Sequence, residues 1–167
     1  MKKNRSLLIV IIACVVAFSL FSCGQNSDKL TGAQSQEVRD SVLKLADVTA
    51  KDISTKGPIA WLDHFEDSPG FFMATDGSIQ LPDYKTADSF IKTTLIKAIP
   101  KITLRWSAIR IDPLTPDIAV MAAGYHEDIL DASGKTTPYD GYFTAVVHKT
   151  AKRWQFRDEQ WSSKPAR

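Results

Sequence analysis

Asp158, Glu127 and Tyr125 are the side chains of this sequence whose type and spacing best suit moving a proton. Alternation in an extended chain puts Trp154, Phe156, Asp158 and Gln160 on one strand face. A carboxylate held among aromatic rings loses hydration, its pKa rises, and it becomes a base able to take a proton from carbon or water. The same residue at a sheet edge would instead stay ionised and hydrogen-bonded, or contact a ligand. Tyr125 and Glu127 share a second face with Ala119, Met121 and Ala123, whose side chains fit a packed interior. There the Tyr125 hydroxyl could polarise a ligand oxygen, with Glu127 orienting it or acting as base.

The other titratable groups suggest less. Trp61 and His64, three apart, lie on one side of a short helix; His64 has Asp63 and Asp67 nearby in sequence, and Trp61 suits either a pocket wall or the core. His126 and His148 fall on separate strands, with Asp128 on the face of His126. No His-Glu-x-x-His or similar ligand spacing occurs, so neither a metal nor another cofactor is expected. Arg105 and Arg110 lie on opposite faces of one strand and can pair with acids or cover apolar surface. There is no phosphate loop, nucleophile elbow or dinucleotide fingerprint.

These residues need elements to hold them. Val38, Val42, Leu45 and Val48 recur at spacings of four, three and three, and Ile53 returns to the same side, which predicts a helix of about 20 residues. Gly57 should end it, and Pro58 suits the first turn of a second helix carrying Trp61, Leu62 and Phe65. Phe71-Phe72-Met73-Ala74 reads as a strand entering an Asp76-Gly77 turn, with Ile79-Gln80-Leu81 returning. Ala87, Phe90, Ile91, Leu95 and Ala98 give a third helix, closed by Pro100. The period then changes to two from Ile102. A turn over 112–116 leads to strands over 118–130, 139–149 and 153–162, with Gly124 and Gly141 as the cheapest points for a bulge or sharp bend. Short turns between successive strands favour an antiparallel meander, and helices in front of sheet make an α+β domain.

At the start, Lys2, Lys3 and Arg5 precede 15 mostly apolar residues, 7–21, a secretory pattern too short to span a membrane comfortably. Leu20-Phe21-Ser22-Cys23-Gly24 resembles the lipobox of bacterial lipoproteins. That resemblance implies cleavage after residue 22, acylation of Cys23, and an outer-membrane, periplasm-facing anchor, since Gly24 is not the aspartate associated with inner-membrane retention. The chain then divides into a signal peptide, 1–22; an acylated cysteine and polar tether, 23–34; a domain, 35–163; and a tail, 164–167. The polar composition of 25–36 needs no fold of its own. Removing 1–22 leaves 145 residues, enough for one domain. The whole chain has 21 basic and 19 acidic residues; the leader takes Lys2, Lys3 and Arg5 with it, so the remainder sits near net −1, without the electrostatic footprint of a nucleic-acid binder. Cys14 leaves with the leader, so no disulfide can form within the mature chain.

The order of elements, with Gly141-Tyr142-Phe143-Thr144-Ala145-Val146-Val147 and Trp154-Gln155-Phe156-Arg157-Asp158-Glu159-Gln160-Trp161-Ser162, resembles the NTF2-like superfamily, especially its SnoaL-like and ketosteroid-isomerase-related branch. The resemblance covers residues 35–163 and implies a cone: a curved antiparallel sheet wrapped around three N-terminal helices, with an apolar pocket at the wide end. On that fold the pocket residues would be Trp61, Tyr125, Glu127, Trp154, Asp158 and Gln160. Many relatives carry two histidines in the last strand where this chain has Asp158 and Gln160, which removes groups that shuttle protons near neutrality. The function implied is therefore non-catalytic binding of a small apolar molecule or an envelope protein. A proton-transfer enzyme of the isomerase, cyclase or dehydratase class is the alternative. An outer sheet face carrying Ile109, Ile111, Val120 and Val147 would also suit a homodimer.

Overall fold

The computed structural model describes residues 29–151 and 153–164; the leader, Cys23 and most of the tether lie outside them. Thr31 opens helix α1 (Gly32–Lys56). Its hydroxyl accepts from the Gln34 amide at 3.2 Å while the Gln34 side chain accepts from the Thr31 amide at 2.9 Å, satisfying two donors that a helix start leaves open. This cap starts the helix inside the segment whose composition reads as tether. Val38, Val42, Leu45 and Ile53 are buried, but Thr49 rather than the half-exposed Val48 completes the stripe. Gly57 ends the helix at a φ of 78°, where a Cβ would also stand 3.1 Å from the Pro100 carbonyl oxygen.

A 3-10 turn, Pro58–Ala60, leads into the single-turn helix α2 (Trp61–His64). Strands β1 (Phe72–Thr75) and β2 (Ser78–Leu81) pair around Asp76 and Gly77, whose φ values of 48° and 85° make the two-residue turn matched to strand twist. The Asp83 carboxylate accepts from the Thr86 amide at 2.7 Å and caps α3 (Tyr84–Phe90). That helix runs through a π-helical turn, Ile91–Leu95, into α4 (Ile96–Ala98).

Four long strands follow: β3 (Lys101–Thr115), β4 (Ile118–Leu130), β5 (Thr136–Lys149) and β6 (Trp154–Ser163). Residues 112–115, expected as a turn, extend β3, and the chain reverses at Pro116 and Asp117 instead. The sheet order is β2-β1-β6-β5-β4-β3. The meander β3 to β6 is antiparallel, but β1 joins β6 in parallel, so the curved, open sheet is mixed. Helix α1 lies against β3, where the Trp106 indole donates to the Ala46 carbonyl at 3.0 Å and the Leu104 amide to the Ser54 hydroxyl at 3.1 Å. Phe65, Phe71, Phe143, Phe156 and Met121 are sealed in the core.

Bulges set which residues face inward. One follows the Ser107–Gly124 pair, with Ala108 at a φ of 47°, and moves the inward positions of β3 from Trp106 to Ile111. A second adds one residue to β6 opposite Val146 and Val147, away from Gly141. Of the four residues expected on an apolar outer face, Val147 is fully buried, and Ile109 and Ile111 pack against the core. The exposed side of the sheet is consequently more polar than the alternation of β3 implies.

Candidate functional site

A cavity of about 330 Å³ opens between the sheet and the α3 segment. Its deep part is aromatic: Trp61, Phe65 and Trp161 are buried there. Ile91, Leu95, Ile99, Ile102 and Ile129 form apolar walls, and the exposed rings of Phe90 and Tyr139 mark the rim. Trp61 stacks on Phe65 at 5.6 Å between centroids and meets the edge of Trp161 at 5.5 Å, so the floor is held by ring-to-ring packing.

The carboxyl group deep in this cavity is Glu159. The bulge in β6 pairs Phe156 with Val147 and Asp158 with Val146, so Arg157 is the extra residue and the alternation resets there. Trp154 and Phe156 point to the core before the bulge, and Glu159, Trp161 and Ser163 point to the cavity after it. The expectation that Trp154, Phe156, Asp158 and Gln160 share one face is therefore corrected. Asp158 sits in register with Phe72 on the other side, partly exposed, with Arg157 Nε 3.9 Å from its carboxylate. Gln160 is exposed, and Trp154 lines separate clefts beside α1. Trp61, Tyr125 and Glu127 do line the cavity. Glu159 was readable in sequence only as a neighbour of Asp158, because a bulge that adds one residue leaves no mark in the pattern.

Glu159 is 1 % exposed. Its Oε2 accepts from the Trp161 indole N–H at 3.1 Å, while Oε1 is buried with no hydrogen-bond partner. Burial raises its pKa to about 8, against the smaller lowering by the Trp161 hydrogen bond. Burial likewise raises Glu127 to about 7, with nearby His126 pulling slightly the other way. The two acids are not a pair. Glu159 lies in the sheet row of Ala145 and Met121, and Glu127 is six residues along β4 from Met121, about 20 Å of strand. Glu159 belongs to the deep end and Glu127 to the outer part, opposite Tyr139.

Tyr125 lies across β5 at Gly141, where an added Cβ would come within 2.5 Å of the tyrosine ring and 2.1 Å of the Ser162 carbonyl oxygen. Its ring packs on the edge of Trp161 at 4.9 Å, and burial raises its pKa. The Ser163 hydroxyl donates to Asp76 Oδ2 at 3.1 Å, so across their 3.4 Å contact its oxygen accepts a hydrogen bond from the Tyr125 hydroxyl. That proton points along the wall. The expected role of Tyr125, donating to a ligand oxygen with Glu127 orienting it, is not the arrangement seen, and no hydrogen bond joins the two side chains.

The remaining candidates lie elsewhere. His64 is buried against α1, its Nε2 3.1 Å from Asp52 rather than next to Asp63 or Asp67, and burial lowers its pKa. His126 bridges Asp140 at 3.0 Å and Asp128 at 3.2 Å, and His148 meets Glu66 at 2.9 Å. Arg105 donates to Asp128 at 2.8 Å and Arg110 to Asp112 at 2.9 Å. Among the described residues no group of three or more ligating side chains is arranged to hold a metal ion. The first turns of α1 are far from the cavity rim: Gln34, Glu37 and Val38 share a small cleft with Pro116, Lys149 and Trp154 at the end of the β3–β4 hairpin. The 13 residues of β4, about 40 Å of strand, run from that end to the rim.

No protein-family model matches the chain, and no curated protein does. Solved structures do share its shape. An NTF2-like superfamily protein from Salmonella enterica aligns with a TM-score of 0.66 at 20 % identity, over 79 % of this chain and 94 % of that one. A scytalone dehydratase-like protein from Novosphingobium aromaticivorans aligns at 0.65 and 12 % identity, over 81 % and 89 %. A type 3 hexachlorocyclohexane dehydrochlorinase from Novosphingobium barchaimii aligns at 0.64 and 7 % identity, over 81 % and 92 %. The chain has the NTF2-like fold, an α+β cone.

Proposed function

We propose that this protein binds a small, largely apolar molecule inside the cone without transforming it, while held by acyl chains on Cys23 at the periplasmic face of an outer membrane. One observation carries the binding reading: an apolar cavity of about 330 Å³ whose two carboxyl groups stand at different depths rather than as a proton-relaying pair. With the anchor entering at the hairpin end, the rim would face away from the membrane, and exchange would be with the periplasm. The test is purification from the native membrane under mild conditions, followed by extraction and mass analysis. Recovery of one defined small molecule supports the reading, and recovery of a stoichiometric envelope protein with an empty cavity defeats it. The anchor is checked separately: Cys23→Ser should move the protein from the membrane fraction to the soluble one.

A second reading rests on Glu127. A carboxyl raised to about 7, with no hydrogen-bond partner among the described residues, on a cavity wall, has the acidity of a general base working near neutrality. Solved neighbours on this fold include a dehydrochlorinase, so the fold accommodates elimination chemistry. Glu127 would then remove a proton from a carbon next to an activating group. Exchange of that proton for deuterium in D₂O, abolished by Glu127→Gln, is the result this reading requires.

A further inference from the structure

We infer that the cavity takes hydrophobic amines, whose protonated nitrogen pairs with the Glu127 carboxylate in the outer part while the apolar body fills the space toward the Trp61 and Trp161 rings. The inference rests on the binding reading above and specifies the chemical class of its ligand.

The cavity lining carries charge of one sign. Among the described residues it includes two acids, Glu127 and Glu159, and no lysine, arginine or histidine. Only one of these acids is open to a ligand. Glu159 Oε2 is taken by the Trp161 N–H and its Oε1 is sealed inside the protein, whereas neither oxygen of Glu127 is among the sealed atoms. Glu127 also has no hydrogen bond or ion pair among the described residues. The cations nearest to it along the sheet are committed on the outer face: His126 lies between Asp128 and Asp140, and Arg105 donates to Asp128. A carboxylate half-withdrawn from water and left without a cation is a deficit that an incoming ammonium removes. The surroundings favour the same sign, because the exposed rings of Tyr139, the register partner of Glu127, and Phe90 stand at the rim, and aromatic rings attract ammonium groups. An anionic ligand would meet Glu127 with nothing to neutralise either charge. A neutral ligand would leave the carboxylate unpaired.

The experiment uses three molecules of one skeleton: 2-(2-naphthyl)ethylamine, 2-(2-naphthyl)ethanol and 2-naphthylacetate. Binding to the purified protein is measured by equilibrium dialysis at about pH 8, where Glu127 is largely ionised and the amine largely protonated. The amine should bind about tenfold more tightly than the alcohol, and the acid should bind most weakly. Glu127→Gln, which keeps the size of the side chain and removes its charge, should bring the amine down to the alcohol while leaving alcohol binding intact, showing that the cavity persists. Asp128→Asn removes the same charge one residue away on the outer face and should keep the preference. Equal affinity for amine and alcohol, a preference that survives Glu127→Gln or disappears in Asp128→Asn, loss of the alcohol together with the amine in Glu127→Gln, or tightest binding of the acid would overturn the assignment and leave the binding reading standing. Failure of all three molecules to bind would remove both.

Discussion

Glu127 and Asp128 are consecutive on β4, yet burial raises the first to about 7 while Arg105 and His126 hold the second below its ordinary value. The difference is the face. Inside the cone, Glu127 and Glu159 meet aromatic and aliphatic walls, and neither is in an ion pair among the described residues. Outside, Asp128 accepts from Arg105, His126 lies between Asp128 and Asp140, and Arg110 pairs with Asp112. One sheet thus raises the pKa of its acids on one side and lowers that of Asp128 on the other. The inner acids carry the cost of burial, whereas the outer pairs are solvent-screened and contribute little to stability.

The strongest way to break this contrast is pH. Both inner acids have folded-state values above the ordinary 4.5, so the folded chain holds their protons longer than the unfolded chain does. Stability from this source is complete below about pH 4.5, falls by roughly 1.4 kcal/mol per pH unit per acid as pH rises, and is fully lost above about 7 for Glu127 and about 8 for Glu159. Urea titrations between pH 5 and 8 should show this limb. It should flatten in the Glu127→Gln, Glu159→Gln double variant. His126, raised by its carboxylate partners, titrates in both proteins and drops out of the difference.

Gly141→Ala comes next. Its Cβ would collide with the Ser162 backbone and with Tyr125, which must leave the cavity wall, so a loss of about 3 kcal/mol in urea denaturation is expected, together with weaker binding of any cavity ligand. A smaller effect sharpens the outer half of the comparison. Arg105→Ala should cost less than about 1 kcal/mol, and the cost should shrink further in high salt. The smallest is Asp158→Asn, which should leave ligand binding unchanged while Glu159→Leu alters it. A binding defect in Asp158→Asn would mean that β6 presents the other register.

Much of this architecture was readable from spacing. Gly57, Asp76-Gly77 and the reversal after Leu130 mark boundaries because each position needs a backbone shape or a break that few residues supply. The Tyr125 and Glu127 face was readable because β4 alternates without interruption along its length. The face of β6 was not. Arg157 occupies a bulge whose presence depends on how β5 and β6 are registered, and one inserted residue exchanges Asp158 for Glu159. The parallel docking of β1 on β6 was equally hidden, since short turns report only which neighbours in sequence pair.

The sequence by itself determined the elements, their order, and the supply of apolar and acidic side chains, because helix caps, turn residues and periodicity act over a few residues at a time. Which acid enters the cavity, which hydroxyl the tyrosine donates its hydrogen bond to, and which carboxyls have their pKa raised were decided only in the folded sheet. Those properties depend on register and on the dielectric surroundings that distant strands create together.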